Sequence, residues 1–71
     1  MMPLTMASPG DGEFTIHKIS GRDHTIRRLA EMGFVTGATI TVISEVAGNL
    51  ILGVKGTRVA LDKTLAQRIM V

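Results

Sequence analysis

The sequence has no cysteine, no tryptophan and no tyrosine, and its only aromatic side chains are Phe14 and Phe34. Without cysteine there is no disulfide, no thiolate metal ligand and no thiol nucleophile. A chain of 71 residues holds one domain, expected to span 1–71, and a domain so small buries only about 60% of its unfolded surface. Aliphatic packing must therefore hold it together. The shortage of aromatics also excludes two kinds of binding surface. Grooves that read proline-rich peptides are lined with aromatic rings, and single-stranded nucleic acids are held on aromatic stacking platforms. Both Phe residues belong by pattern to the core, so neither surface can be built.

Long apolar runs are missing as well. The densest stretch, Leu50 to Val54, is already interrupted by Gly53 and falls far short of the ~20 residues of a membrane span. Met1 to Ser8 lacks the basic residue and apolar run of a signal peptide, so a cytoplasmic location is expected. Charge of one sign is scarce too: 8 Lys and Arg face 6 Asp and Glu, a net +2. The pI of about 9.7 follows from the missing Tyr and Cys, because almost nothing titrates between the N-terminal amine and the lysines. The arginines are scattered apart from the pair Arg27-Arg28. They form no basic cluster of the kind that a DNA-binding domain carries, and no nucleic-acid partner is expected.

What the chain does have is branched aliphatic residues: 7 Ile and 6 Val, with 8 Thr and 8 Gly beside them. Stiff β-branched side chains suit a pleated sheet, and glycine suits the tight turns between strands. After a leader at 1–8, in which Leu4 and either Met6 or Ala7 can reach the core, Pro9-Gly10-Asp11-Gly12 reads as a turn. Phe14 and Ile16 alternate with Thr15 and His17, the period of a half-buried strand. Ile19 breaks that phase, which predicts a bulge or the strand's end near Lys18.

One helix is predicted next. Asp23 suits its N-cap, and Ile26, Leu29 and Ala30 fall on one face. Gly33 suits the left-handed residue just beyond its end. Phe34 and Leu29 would then make the hydrophobic contact that accompanies a Schellman ending. From Ala38 onward the pattern is all strand. Ile40 and Val42 open one strand, which runs on through Ile43 toward Val46; Leu50, Leu52 and Val54 form one face of the next. Val59 and Leu61 point inward from a third. Ala47-Gly48-Asn49 and Gly56 mark the hairpins. Asp62 suits the cap of a short helical turn, and Ile69 and Val71 belong to a closing strand. The expected fold is mainly β: a small barrel of about five strands, with one helix after the first strand and a helical turn before the last. Closure removes the edges that apolar strands cannot leave open.

The pattern Pro9-Gly10, Ile16-x-x-Ile19-x-Gly21, Arg28-Leu29-Ala30-Glu31-Met32-Gly33-Phe34 resembles the ferrous iron transport protein A family (FeoA). So does the downstream half: Gly37 before Ile40-Thr41-Val42, then Val54-x-Gly56-x-Arg58-Val59-Ala60-Leu61, then Ala66-x-x-Ile69-x-Val71. The resemblance implies an SH3-like barrel. It also implies a cytosolic accessory protein of bacterial ferrous iron uptake, acting on the FeoB permease and its GTP-binding domain. Related barrels form the C-terminal domains of metal-dependent repressors of the diphtheria-toxin-repressor type, so the alternative is a regulatory SH3-like module associated with such a repressor or with nucleic acid. Two departures stand out. Thr36 replaces the proline usual before Gly37, and the loop Val46-Ala47-Gly48-Asn49 is shorter than is common in the family.

Neither a nucleophile signature nor a carboxylate pair at catalytic spacing is present. Gly53-Val54-Lys55-Gly56-Thr57 lacks the spacing and ending of a phosphate loop. No catalytic residue, cofactor or metal ligand is therefore expected. His17 and His24 read as solvated surface histidines, on a strand face and a helix start that nothing makes converge. What remains is binding to another protein, by a domain that is itself expected to be a monomer. Interface centres favour arginine. The candidate contact residues are Arg27, Arg28 and Glu31 on the helix, Met32 at its end, and Arg58 on the outward face of a hairpin.

Overall fold

The computed structural model describes all residues, 1–71. Its six strands are β1 (Glu13–Thr15), β2 (Lys18–Ile19), β3 (Thr39–Val46), β4 (Asn49–Val54), β5 (Thr57–Asp62) and β6 (Ile69–Met70). Helix α1 spans Asp23–Glu31, helix α2 spans Lys63–Ala66, and a single 3-10 turn covers Leu4–Met6. The strands form two antiparallel sheets, one ordered β1-β3-β4-β5 and one made of β2 and β6. Both enclose one core of 14 buried residues, every one of them apolar. Phe34 lies fully inside it and Phe14 packs against it half-buried.

The break of phase at Ile19 has a definite cause. The segment expected as one strand is two: β1 pairs with β3 in one sheet, and β2 pairs with β6 in the other. Between them Ile16 is buried, while His17 donates its N–H to the Met70 carbonyl at 2.8 Å. The chain changes partner at Ile16-His17, and that handover ties the sheets together. It also accounts for six strands where about five were expected.

Two further corrections concern the helix. Asp23 is the first helical residue, and Arg22 occupies the N-cap without any side-chain capping bond. Asp23 still favours this end, because a carboxylate in the first turn faces the positive end of the helix dipole. Leu29 is the one buried residue of the helix, with Ile26 and Met32 half-buried on either side of it, whereas Ala30 is exposed; successive residues turn by about 100°, which carries Ala30 off the face centred on Leu29.

The helix ends as expected. The Phe34 N–H donates to the Leu29 carbonyl at 2.9 Å and the Gly33 N–H to the Ala30 carbonyl at 2.9 Å, the paired bonds of a Schellman motif. Leu29 and Phe34 are both 0% exposed. Gly33 has φ +99°, and a Cβ placed on it would sit 3.3 Å from Val54 Cγ2. Gly33→Val should therefore destabilise by about 1 kcal/mol or more, seen as a lower urea midpoint at unchanged slope; a neutral result would mean that the helix stops by other means.

Both hairpins close through two-residue turns, Ala47-Gly48 and Lys55-Gly56, with positive φ at both residues of each. Such turns match the twist of their strands. Asp62 caps α2 as expected, its Oδ1 accepting from the Leu65 N–H at 2.8 Å. The segment 1–8 is bound in more firmly than a leader. Met2 and Val71 exchange two backbone hydrogen bonds of 2.8 Å, and Pro3 bridges to Met70. Leu4 and Ala7 are buried, whereas Met6 is 69% exposed.

Candidate functional site

With an all-apolar interior and no unpaired buried side-chain polar atom, any chemistry must lie on the surface. No three His, Asp or Glu side chains come together; His17 and His24 are exposed on separate elements. The largest concavity is a groove of about 560 Å³ on the outer face of the four-stranded sheet.

Strand register builds its floor. Glu13 pairs with Thr41, Thr41 with Gly53, and Gly53 with Arg58, so one row crosses β1, β3, β4 and β5. A carboxylate stands at one end of the row and a guanidinium at the other, with Lys55 beside Arg58 on the rim. Neighbouring strands lie about 4.8 Å apart, so the two charged Cα atoms are separated by roughly 14 Å. Gly53 makes the middle of the row flat. A Cβ there would stand 2.7 Å from Thr41 Oγ1 and 3.4 Å from Ile43 Cδ1. Ile43 is itself the product of a bulge, since the register shifts between Val42 and Ser44.

The candidate contact residues divide. Arg58 lies in the groove; Arg27, Arg28, Glu31 and Met32 do not. Arg27, Arg28 and Glu31 are exposed on α1, and Met32 is half-buried against the core. The helix nevertheless ends beside the groove, because the Cβ position of Gly33 lies 3.7 Å from Lys55 Cδ. Sequence reasoning missed Glu13, Thr41 and Gly53. The available signal was Gly53 itself: a glycine inside an otherwise apolar strand marks close approach of neighbouring groups.

Compared with family sequence models, residues 2–71 match the FeoA domain. The chain belongs to the FeoA family. The protein is 35% identical to the putative Fe(2+) transport protein A of Methanocaldococcus jannaschii, over 100% of this chain and 85% of that one. A crystal structure of an iron uptake regulatory protein, itself a FeoA, superposes with a TM-score of 0.90 at 38% identity, covering 99% of this chain and 92% of that one. The FeoA of Stenotrophomonas maltophilia, solved in complex with zinc and described as a procaryotic SH3 domain protein, gives a TM-score of 0.80 at 27% identity, over 100% and 89% of the two chains. The SH3-like fold that the resemblance implied is thus the fold described for this FeoA relative. In this FeoA chain a second, wholly polar concavity lies at the start of α1, lined by Gly21, Arg22, His24, Thr25 and Arg68.

Proposed function

We propose that this protein is a non-enzymatic accessory protein of ferrous iron uptake in the cytoplasm, acting by contact with a FeoB-type ferrous iron permease and its GTP-binding domain. The observation that carries this reading is the FeoA match over residues 2–71. No helix is long and apolar enough to cross a membrane, so on this reading the permease brings the protein to the bilayer. Partner contact is assigned to Arg58 with Arg27, Arg28, Glu31 and Met32. Arginine suits the role through its planar fork of donors, which binds carboxylates bidentately.

The test is titration of the folded protein against the permease's isolated GTP-binding domain and, separately, against the intact transporter. Binding to at least one is expected. Arg58→Ala should weaken it about fivefold or more with no change in the circular dichroism spectrum, since Arg58 is exposed. Failure to bind either would overturn the proposal. Binding to duplex DNA that falls steeply with salt would favour the regulatory-module alternative instead.

A further inference from the structure

The sheet ordered β1-β3-β4-β5 leaves β5 as an open edge. The opposite edge, β1, has three residues before the chain departs for the other sheet. β5 has six, Thr57–Asp62, with no proline and no bulge, two of the devices by which natural edges are blunted.

The hairpin register fixes which backbone groups are free. Val54 and Thr57 flank the two-residue turn and bond to each other. Bonding alternates from there, so Val59 and Leu61 also face β4, while the N–H groups of Arg58, Ala60 and Asp62 face away from it. Neither Arg58 nor Ala60 makes a backbone hydrogen bond elsewhere in the fold. Both are exposed, as is Asp62.

We infer that this edge pairs with the same edge of a second copy of the chain, antiparallel about a two-fold axis through Ala60. That register places Ala60 opposite Ala60 and Arg58 opposite Asp62 of the second copy, and by symmetry Asp62 opposite Arg58. The Ala60 residues exchange both their hydrogen bonds, and each Asp62 N–H donates to an Arg58 carbonyl. Both charges meet a charge of opposite sign, the arrangement that stabilises cross-strand pairs. The neighbouring registers lose this. Slipping the strands one way sets Arg58 against Ala60 and then against Arg58; slipping the other way sets Asp62 against Ala60 and then against Asp62. Only the register centred on Ala60 satisfies the backbone and the side chains together. Asp62 Oδ1 is taken by the α2 cap, and its second oxygen has no protein partner within the chain. The resulting interface is isologous, the usual form of a two-fold dimer, and it joins two four-stranded sheets with their grooves on one face. The domain expected to be a monomer thus carries a self-complementary edge.

Sedimentation equilibrium of the full chain, from dilute solution into the millimolar range, should show its mass rising from monomer to dimer. Arg58→Asp, which sets acid against acid on both sides of the axis, should weaken association about tenfold or more. Asp62→Asn keeps a capping side chain and should cause a smaller loss. Hydrogen exchange supplies an independent reading. The amides of Ala60 and Asp62 should gain protection as concentration rises, while those of Val59 and Leu61, already bonded to β4, should not change. A mass that stays monomeric throughout would overturn the inference. So would a dimer indifferent to Arg58→Asp, or protection appearing away from β5.

Discussion

Phe34→Ala should lower stability by about 3–5 kcal/mol, the range found when a buried aromatic ring is truncated in a core that cannot collapse around the void. For a domain of this length the whole folding free energy is only about 4–11 kcal/mol, so the variant should stand at the edge of unfolding. Three features put Phe34 there. It is 0% exposed, it is the largest of the fully buried side chains, and its N–H closes the helix onto Leu29. Removing the ring leaves those hydrogen bonds without the packing that shields them. Thermal unfolding should move down by roughly 15 °C or more. A drop of only a few degrees would mean that neighbouring Leu and Ile side chains refill the space.

Leu4→Ala is expected to cost about 2–5 kcal/mol, as much as a substitution in a central strand, although Leu4 sits near the chain's start. Its side chain is 0% exposed, and the 3-10 turn around it is fastened on both sides. The Met6 N–H donates to the Pro3 carbonyl and the Ala7 N–H to the Leu4 carbonyl, each at 3.0 Å. Met6→Ala serves as the internal comparison. At 69% exposure Met6 should change stability by no more than about 0.5 kcal/mol. Urea unfolding of the two variants side by side checks the pair; equal midpoints would mean that the N-terminal segment is not part of the cooperative unit.

Local signals were legible in the sequence and partnerships were not. The stop at Gly33-Phe34, both hairpins and the Asp62 cap are each specified within a few residues, by φ requirements, a turn or a single capping oxygen. Alternation of Leu50, Leu52 and Val54 likewise settles which face of β4 is inward. Period-two alternation names a face, however, and does not name a neighbour. Nothing local in Phe14 to Ile19 says that the first half pairs with β3 and the second with β6. The bulge at Ile43 hid for the same reason, since an extra residue shows only against the strand opposite. The groove inherits this limit: Glu13 and Arg58 lie 45 positions apart in the numbering, and only the register of three strand pairs sets them in one row. Arg58 was recognisable as an exposed arginine, but its place opposite Gly53 was not.

The exchange of hydrogen bonds between Met2 and Val71 also sets an order of events as the protein folds. These residues span nearly the whole sequence, and joining distant positions costs more chain entropy than closing a hairpin. The β3-β4-β5 meander needs only its two short turns and is the local unit that can form first. Met2 takes its backbone partner from Val71, and Leu4 shares its core with Ile69. Closing residues 2–4 against 69–71 is therefore the step with the largest chain-entropy cost, and it is expected to follow the meander.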